Sequence, residues 1–226
     1  LEGLQRLLDD RPGDREALQA LRDVYADLYR WGEVLELFEV EAGDLGPGAE
    51  RAGLLFEMGV VELSRLFRTD RALGRFREAM ADDRGLSGRV VEKVEAVLRE
   101  SPENAEARRL LGEAIALTGD WDRLTAVLAD GAALEGRPAQ RVRYLCEAAT
   151  TALEHLEDTD RSAALLTQAL EEAAEVAPEA AATAIAGLER LLEREPGHRP
   201  TLTTLRDHYT STEHWEALVR VLGREI

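Results

Sequence analysis

Four histidines, one cysteine and a handful of serines are the side chains from which this 226-residue chain could build a reaction centre. His198, His208 and His214 stand nearest one another in sequence, and imidazoles hold zinc or move protons when they converge on one helix face. Their spacing does not arrange that. His208 and His214 are six residues apart across a predicted helix break, and neither H-x-x-x-H nor H-E-x-x-H occurs. His155, with Glu157, Asp158 and Asp160 close behind it, is a weak cation site at most and reads as a solvated helix end. The glycine-rich stretch LGPGAE lacks the lysine and the strand-to-helix setting of a phosphate loop. Ser64, Ser87, Ser101, Ser162 and Ser211 lie in no nucleophile-elbow context. Cys146, in RVRYLCEAATTAL, falls beside Val142, Leu145 and Ala149 on a helical period, and so reads as a buried structural thiol. These residues predict no catalytic residue, no metal site and no cofactor.

The elements that would position any site are dictated by the bulk composition. Hydrophobic residues make up 45% of the chain and aromatics only 5%, with seven prolines, which favours Ala- and Leu-built helices over sheets. The 45 acidic residues against 28 basic ones leave a formal charge of −17, which opposes binding to nucleic acid or to anionic membrane surfaces. Lys93 is the only lysine, a bias that reads as GC-rich coding and not as a guanidinium site. No apolar run reaches the roughly 18–20 residues of a membrane span, and LEGLQRLLDDRPGD has no signal-peptide core. The chain opens and closes inside amphipathic patterns, so a segment of a longer array is expected, and a lone thiol fits a reducing cytoplasm.

Three tryptophans organise the chain. Pro12, Pro102 and Pro196 each precede a tryptophan, Trp31, Trp121 and Trp215, by nineteen residues, and the tryptophans are 90 and 94 residues apart. Self-similarity at a fixed period is the mark of stacked repeats. Arg51 and Arg141 open matching helices and Asp70 and Asp160 stand at matching breaks, again 90 apart. Leu18, Leu21, Val24, Tyr25 and Leu28 form one stripe on a 3.6-residue period. Thr69-Asp70, Gly119-Asp120 and Thr159-Asp160 look like helix N-caps, and AGDLGPGAE and ADGAALEGRPAQ like inter-helix loops. The tryptophans, recurring at one position, are expected to pack between helices. The prediction is an all-α chain of about 12–13 helices in five-helix units of 90–94 residues, starting near 12, 102 and 196. Residues 1–226 then form one array whose stability comes from stacking of neighbours.

These segments resemble tetratricopeptide repeats across nearly the whole chain. Leu18, Leu21 and Tyr25 match the large apolar positions of the first helix of that motif, with Trp31 at the turn and Phe38 in the second helix. Leu110, Leu111 and Trp121, then Leu202, Leu205, Tyr209 and Trp215, repeat the pattern, and Asp70, Ala72, Phe76, Ala79 and Met80 match its second helix. Arg22 and Arg206 depart from it where the motif has a small residue, which Gly112 keeps. Val34 and Leu124 depart from it likewise in the second helix.

The resemblance implies a right-handed α-solenoid that acts as a non-enzymatic scaffold for a partner protein or peptide. Its groove would be lined by Glu16, Gln19, Asp23, Asp27, Glu57, Arg65, Glu106, Arg109, Glu113, Glu147, Thr151, Glu154, Thr203 and Asp207. Such a groove is too acidic to clamp a peptide carboxylate and calls for a partner bearing Lys or Arg. The alternatives are a structural spacer or oligomerisation arm, or the repeat region of a larger enzyme or regulator.

Overall fold

A computed structural model describes residues 14–174 and 178–223, together with residues 3, 6 and 8. Pro12 and most of the predicted helix LEGLQRLLDD lie outside the described residues. Twelve helices have defined bounds, and no strand occurs among the described residues. They are α1 (Arg15–Asp27), α2 (Trp31–Gly43), α3 (Ala49–Ser64), α4 (Thr69–Asp82), α5 (Ser87–Glu100), α6 (Ala105–Thr118), α7 (Trp121–Leu134), α8 (Pro138–His155), α9 (Thr159–Ala174), α10 (Pro178–Arg194), α11 (Arg199–Ser211) and α12 (Trp215–Leu222), with a short 3-10 turn at Arg84–Leu86. Among the described residues no helix is long and apolar enough to cross a membrane.

The helix starts are set by side chains that satisfy the orphan amides of the first turn. Asp14 accepts from the Ala17 amide at 3.1 Å, Asn104 from Ala107 at 2.9 Å and His198 from Thr201 at 3.4 Å, so three cap residues stand two positions after the expected prolines. Asp120 caps α7 as expected, at 3.3 Å from the Arg123 amide. The other two Thr-Asp pairs are corrected. Thr69 and Thr159 are already helical, and the preceding residue takes the cap position: Arg68, with no side-chain bond, and Asp158, 2.9 Å from the Arg161 amide.

Four tight turns within the units join neighbouring helices, and each has one residue in the left-handed region: Tyr29, Phe67, Glu157 and Glu213, with φ between 54° and 58°. That conformation lets the chain reverse while the last carbonyls of the helix stay bonded, as in Arg30 N–H to Tyr25 O at 2.8 Å. None of the four is glycine.

The chain divides into two compact units, 1–118 and 119–226. In the first, α3 and α4 bury Leu55, Phe56, Met58, Leu73 and Phe76, and α5 and α6 add Val90, Val94, Leu110 and Ile115. In the second, α7 to α12 share a cluster that runs from Ala132 and Leu145 through Leu166 and Leu188 to Leu205 and Val221. Leu28 leaves the predicted α1 stripe, because the helix ends at Asp27 and Leu28 is 55% exposed in the turn.

Within each unit helices also bond to the next but one. Arg75 of α4 reaches Glu39 of α2 at 2.6 Å, and Arg89 of α5 reaches Glu57 of α3 at 3.1 Å. In the second unit Arg161 of α9 pairs with Asp122 of α7, and Arg194 of α10 donates to the Leu153 carbonyl of α8 at 2.7 Å. Such bonds follow when antiparallel helices stack in layers, each covering the apolar flank of its neighbour.

Candidate protein-binding surface

Helix α1 carries the clearest exposed face. Ala17, Leu18, Leu21 and Tyr25 are buried on one side, and Glu16, Gln19, Asp23 and Asp27 are exposed on the other, at the offsets that a 3.6-residue period places together. Two arginines hold the helix. Arg15 bonds the Glu50 carboxylate of α3 through both terminal nitrogens, at 2.5 and 3.0 Å. Arg22, the departure from the small residue of the repeat motif, lies almost buried between α1 and α2. It pairs with Glu41 there and sits 4.3 Å from the centre of the Phe38 ring. A guanidinium that stacks and pairs at once fills the space without leaving a charge unmatched.

The acids of α3 and α6 are engaged within the first unit. Glu57 binds Arg89, whose guanidinium also covers the Phe56 ring at 4.1 Å. Arg77 of α4 joins Glu106 at 2.8 Å and Glu113 at 3.0 Å, and Arg109 bonds Glu106 at 2.9 Å. The Arg109 hydrogen bond, helped by Arg77 and opposed by partial burial, holds the Glu106 carboxyl below its usual range. Burial pulls the Arg77 guanidinium down, but its bonds to Glu113 and Glu106 outweigh that and raise it. Arg65, at the end of α3, lies over the Trp31 ring at 4.9 Å.

The second unit presents Glu147 and Glu154 on α8 and Thr203 and Asp207 on α11, all exposed. Glu154 lies 3.9 Å from Arg190, and Asp207 3.2 Å from its neighbour Arg206. Thr151 corrects the set: it is buried, and its hydroxyl turns back onto the Glu147 carbonyl at 2.9 Å. Helix α8 contacts α7, α9 and α10, so a wider stripe of it is covered than one apolar face requires.

His155 and the acids that follow it in sequence are drawn apart. His155 stacks flat on Trp121 with ring centres 3.8 Å apart, whereas Asp158 caps α9 and Asp160 bonds the buried His198 at 3.0 Å. His198 also faces the Thr201 hydroxyl at 2.9 Å, which makes it a helix cap braced from α9. Burial, and then the charge of His214, lower the pKa of His208. Among the described residues no three His, Cys, Asp or Glu side chains gather as a metal would require. Ser64 and Ser211 bond carbonyls of their own helices, and Ser87 and Ser162 are buried.

Arg77, Arg89 and Arg190 are what reading the sequence alone missed, since each neutralises a candidate acid from 29 to 36 residues away. Trp215 is the other miss. It is 58% exposed, where packing between helices was expected. No protein-family model matches the chain, and no curated protein matches it.

Proposed function

We propose that this chain is a non-enzymatic, tetratricopeptide-like repeat scaffold that recruits a partner protein through the exposed first-helix face of α1. The carrying observation is the contrast in ion pairing between helices. Glu106 and Glu113 are already bound to arginines of the same unit, whereas Glu16, Asp23 and Asp27 project on one side of a helix fixed by Arg15 and Arg22. A fixed acidic face attracts a basic partner by opposite potential, and it offers specificity and on-rate more than raw affinity. The partner is therefore a protein or peptide segment with Lys or Arg spaced along one side.

The repeat reading is supported by helix starts. Arg15, Trp31 and Thr69 open α1, α2 and α4, and Ala105, Trp121 and Thr159, each 90 residues on, open α6, α7 and α9. The cap residues Asp14 and Asn104 have the same spacing, and His198 follows 94 residues later. We read residues 1–226 on this basis as one array of five-helix units, right-handed in the manner of the family it resembles.

The test is photo-crosslinking in cell extract from a probe placed at Gln19, comparing the parent with Asp23→Lys/Asp27→Lys. Basic partners should be captured by the parent and lost from the variant, which should keep the same thermal midpoint because both positions are exposed. An identical set of captured proteins from both would refute the acidic face.

A further inference from the structure

Glu62 is a buried acid at a position where the fold needs none. It is 2% exposed within α3, and its Oε2 makes no hydrogen bond. Burial opposes its charge more strongly than Arg75, Arg71 and Arg68 favour it. Such a carboxyl costs stability unless something pairs with it. The second unit shows what the fold asks for. Helices α3 and α4 share one register with α8 and α9, since Arg51 bonds Asp82 and Arg141 bonds Glu172, both partners 90 residues further along. In that register Ala152 stands where Glu62 does, at 0% exposure, and Leu165 and Ala129 replace Arg75 and Glu39. All three counterparts are apolar.

A second difference lies beside the first. Arg161 of α9 pairs with Asp122 of α7. Its counterpart Arg71 has glycine, Gly32, at the matching position of α2, is exposed, and forms no ion pair among the described residues. Glu62 and Arg71 line one open cavity of about 380 Å³, together with Gly74, Arg75 and Glu78. Arg75 is already engaged: it bonds Glu39 at 2.6 Å and lies 3.8 Å from Glu78. That leaves an unbonded carboxyl oxygen inside and an unpaired guanidinium at the rim, in a cavity of ligand size.

We infer that this cavity binds a small zwitterion, whose primary ammonium bonds Glu62 and whose carboxylate bonds Arg71. An ammonium supplies the donors that Glu62 lacks, and a carboxylate matches the planar fork of a guanidinium. Both charges on one ligand are called for, because a lone cation would face Arg71 and Arg75, and a lone anion would face Glu62 and Glu78. The site uses no residue of the α1 face and stands if that reading fails.

Ligand-observed NMR titration reads the binding. The probes are free glycine and γ-aminobutyrate, for short and longer charge separation, with methylammonium and acetate as their separate halves. At least one zwitterion should bind saturably, and each half about tenfold more weakly. Glu62→Gln, which keeps the shape and removes the charge, should weaken the zwitterion about tenfold, and Arg71→Gln should leave it no tighter than methylammonium. If Glu62→Gln loses its helical circular dichroism, Glu62→Ala, with the alanine that α8 carries at that position, is the second variant and should weaken binding at least as much. No saturable binding of either zwitterion at tens of millimolar would overturn the proposal. So would binding that loss of the Glu62 charge leaves unchanged, or methylammonium as tight as the zwitterions, which would make the cavity a simple cation site.

Discussion

Gly59 lies directly under the Phe76 ring, and a single methyl group there tests whether the core is as rigid as it looks. A Cβ at Gly59 would stand 2.6 Å from Cε1 and 2.8 Å from Cδ1 of Phe76. The ring is 0% exposed and tilted against Phe56 with centres 5.3 Å apart, so it has no room to turn away. Alanine gains about 1 kcal/mol over glycine in a helix interior. Overpacking costs about 1–3 kcal/mol, and a clash with a rigid buried ring belongs at the upper end. Gly59→Ala should therefore destabilise by about 2 kcal/mol net. Ninety residues later the pair is Ala149 and Leu166, a smaller side chain over a larger backbone position. In a Phe76→Leu background the alanine should regain its helical advantage, which gives a coupling of about 3 kcal/mol between the two sites. Gly187 is the control: its Cβ would meet Cδ2 of Leu166 at 2.6 Å, but a leucine terminus can rotate, so Gly187→Ala should cost under about 1 kcal/mol. Urea unfolding followed by circular dichroism at 222 nm measures all four variants. A Gly59→Ala chain as stable as the parent, or a coupling of zero, would refute the reasoning.

Three further outcomes follow from the structure. Asn104→Ala removes the cap of α6 and should cost about 1 kcal/mol in the same urea assay, with Asn104→Gly costing only a few tenths. Burial, and then its bond to Glu189, push the Tyr209 hydroxyl from 10.0 up to about 12. The folded chain then holds that proton longer than the unfolded chain does, so the Tyr209 contribution is intact below pH 10.0 and is lost as pH rises towards about 12. Tyr209→Phe should flatten that alkaline loss in pH-dependent melting and remove one late step from the phenolate absorbance titration. Burial also raises the Cys146 thiol, so a disulfide reagent should label the native chain roughly a hundredfold more slowly than the urea-unfolded one.

Most of the helical framework was legible because tryptophan, proline and apolar spacing are local signals. Trp31, Trp121 and Trp215 open helices where the pattern placed breaks, and Leu18, Leu21 and Tyr25 are buried as their period requires. The α1 face was legible for the same reason. The faces of α3 and α6 were not, because Arg77 and Arg89 come from other helices and no period within one segment reveals which acids they neutralise. Thr151 misled because α8 is covered by three neighbours and its polar-looking flank is inside. The caps at α4 and α9 slipped by one residue because Thr-Asp satisfies the cap preference at either position, and the turn before it decides. Among the described residues Glu62 is the buried acid that no pattern announced. It is 2% exposed inside α3, with one carboxylate oxygen unbonded, and burial raises its pKa against the pull of Arg75, Arg71 and Arg68.

Two ion bonds reinforce a register that close apolar fits already favour. Phe76 over Gly59 sets the α3–α4 alignment by shape. Charges add a second discrimination. Arg51 of α3 bonds Asp82 of α4 at 2.7 Å, and Arg141 of α8 bonds Glu172 of α9, both partners 90 residues further along. Each pair joins the start of one helix to the end of its antiparallel neighbour, so sliding either helix by a turn would part the charges by about 5 Å. The acid changes length between the two, from Asp to Glu, while the arginine and the position stay. Partly buried pairs of this kind add little net stability, since desolvation offsets most of the attraction, but separating them leaves a charge without its counterpart. Their effect is on which alignment wins. Arg51 and Arg141 thus set alignment between helices, whereas Arg30 and Arg109 pair with acids of their own turn and cannot.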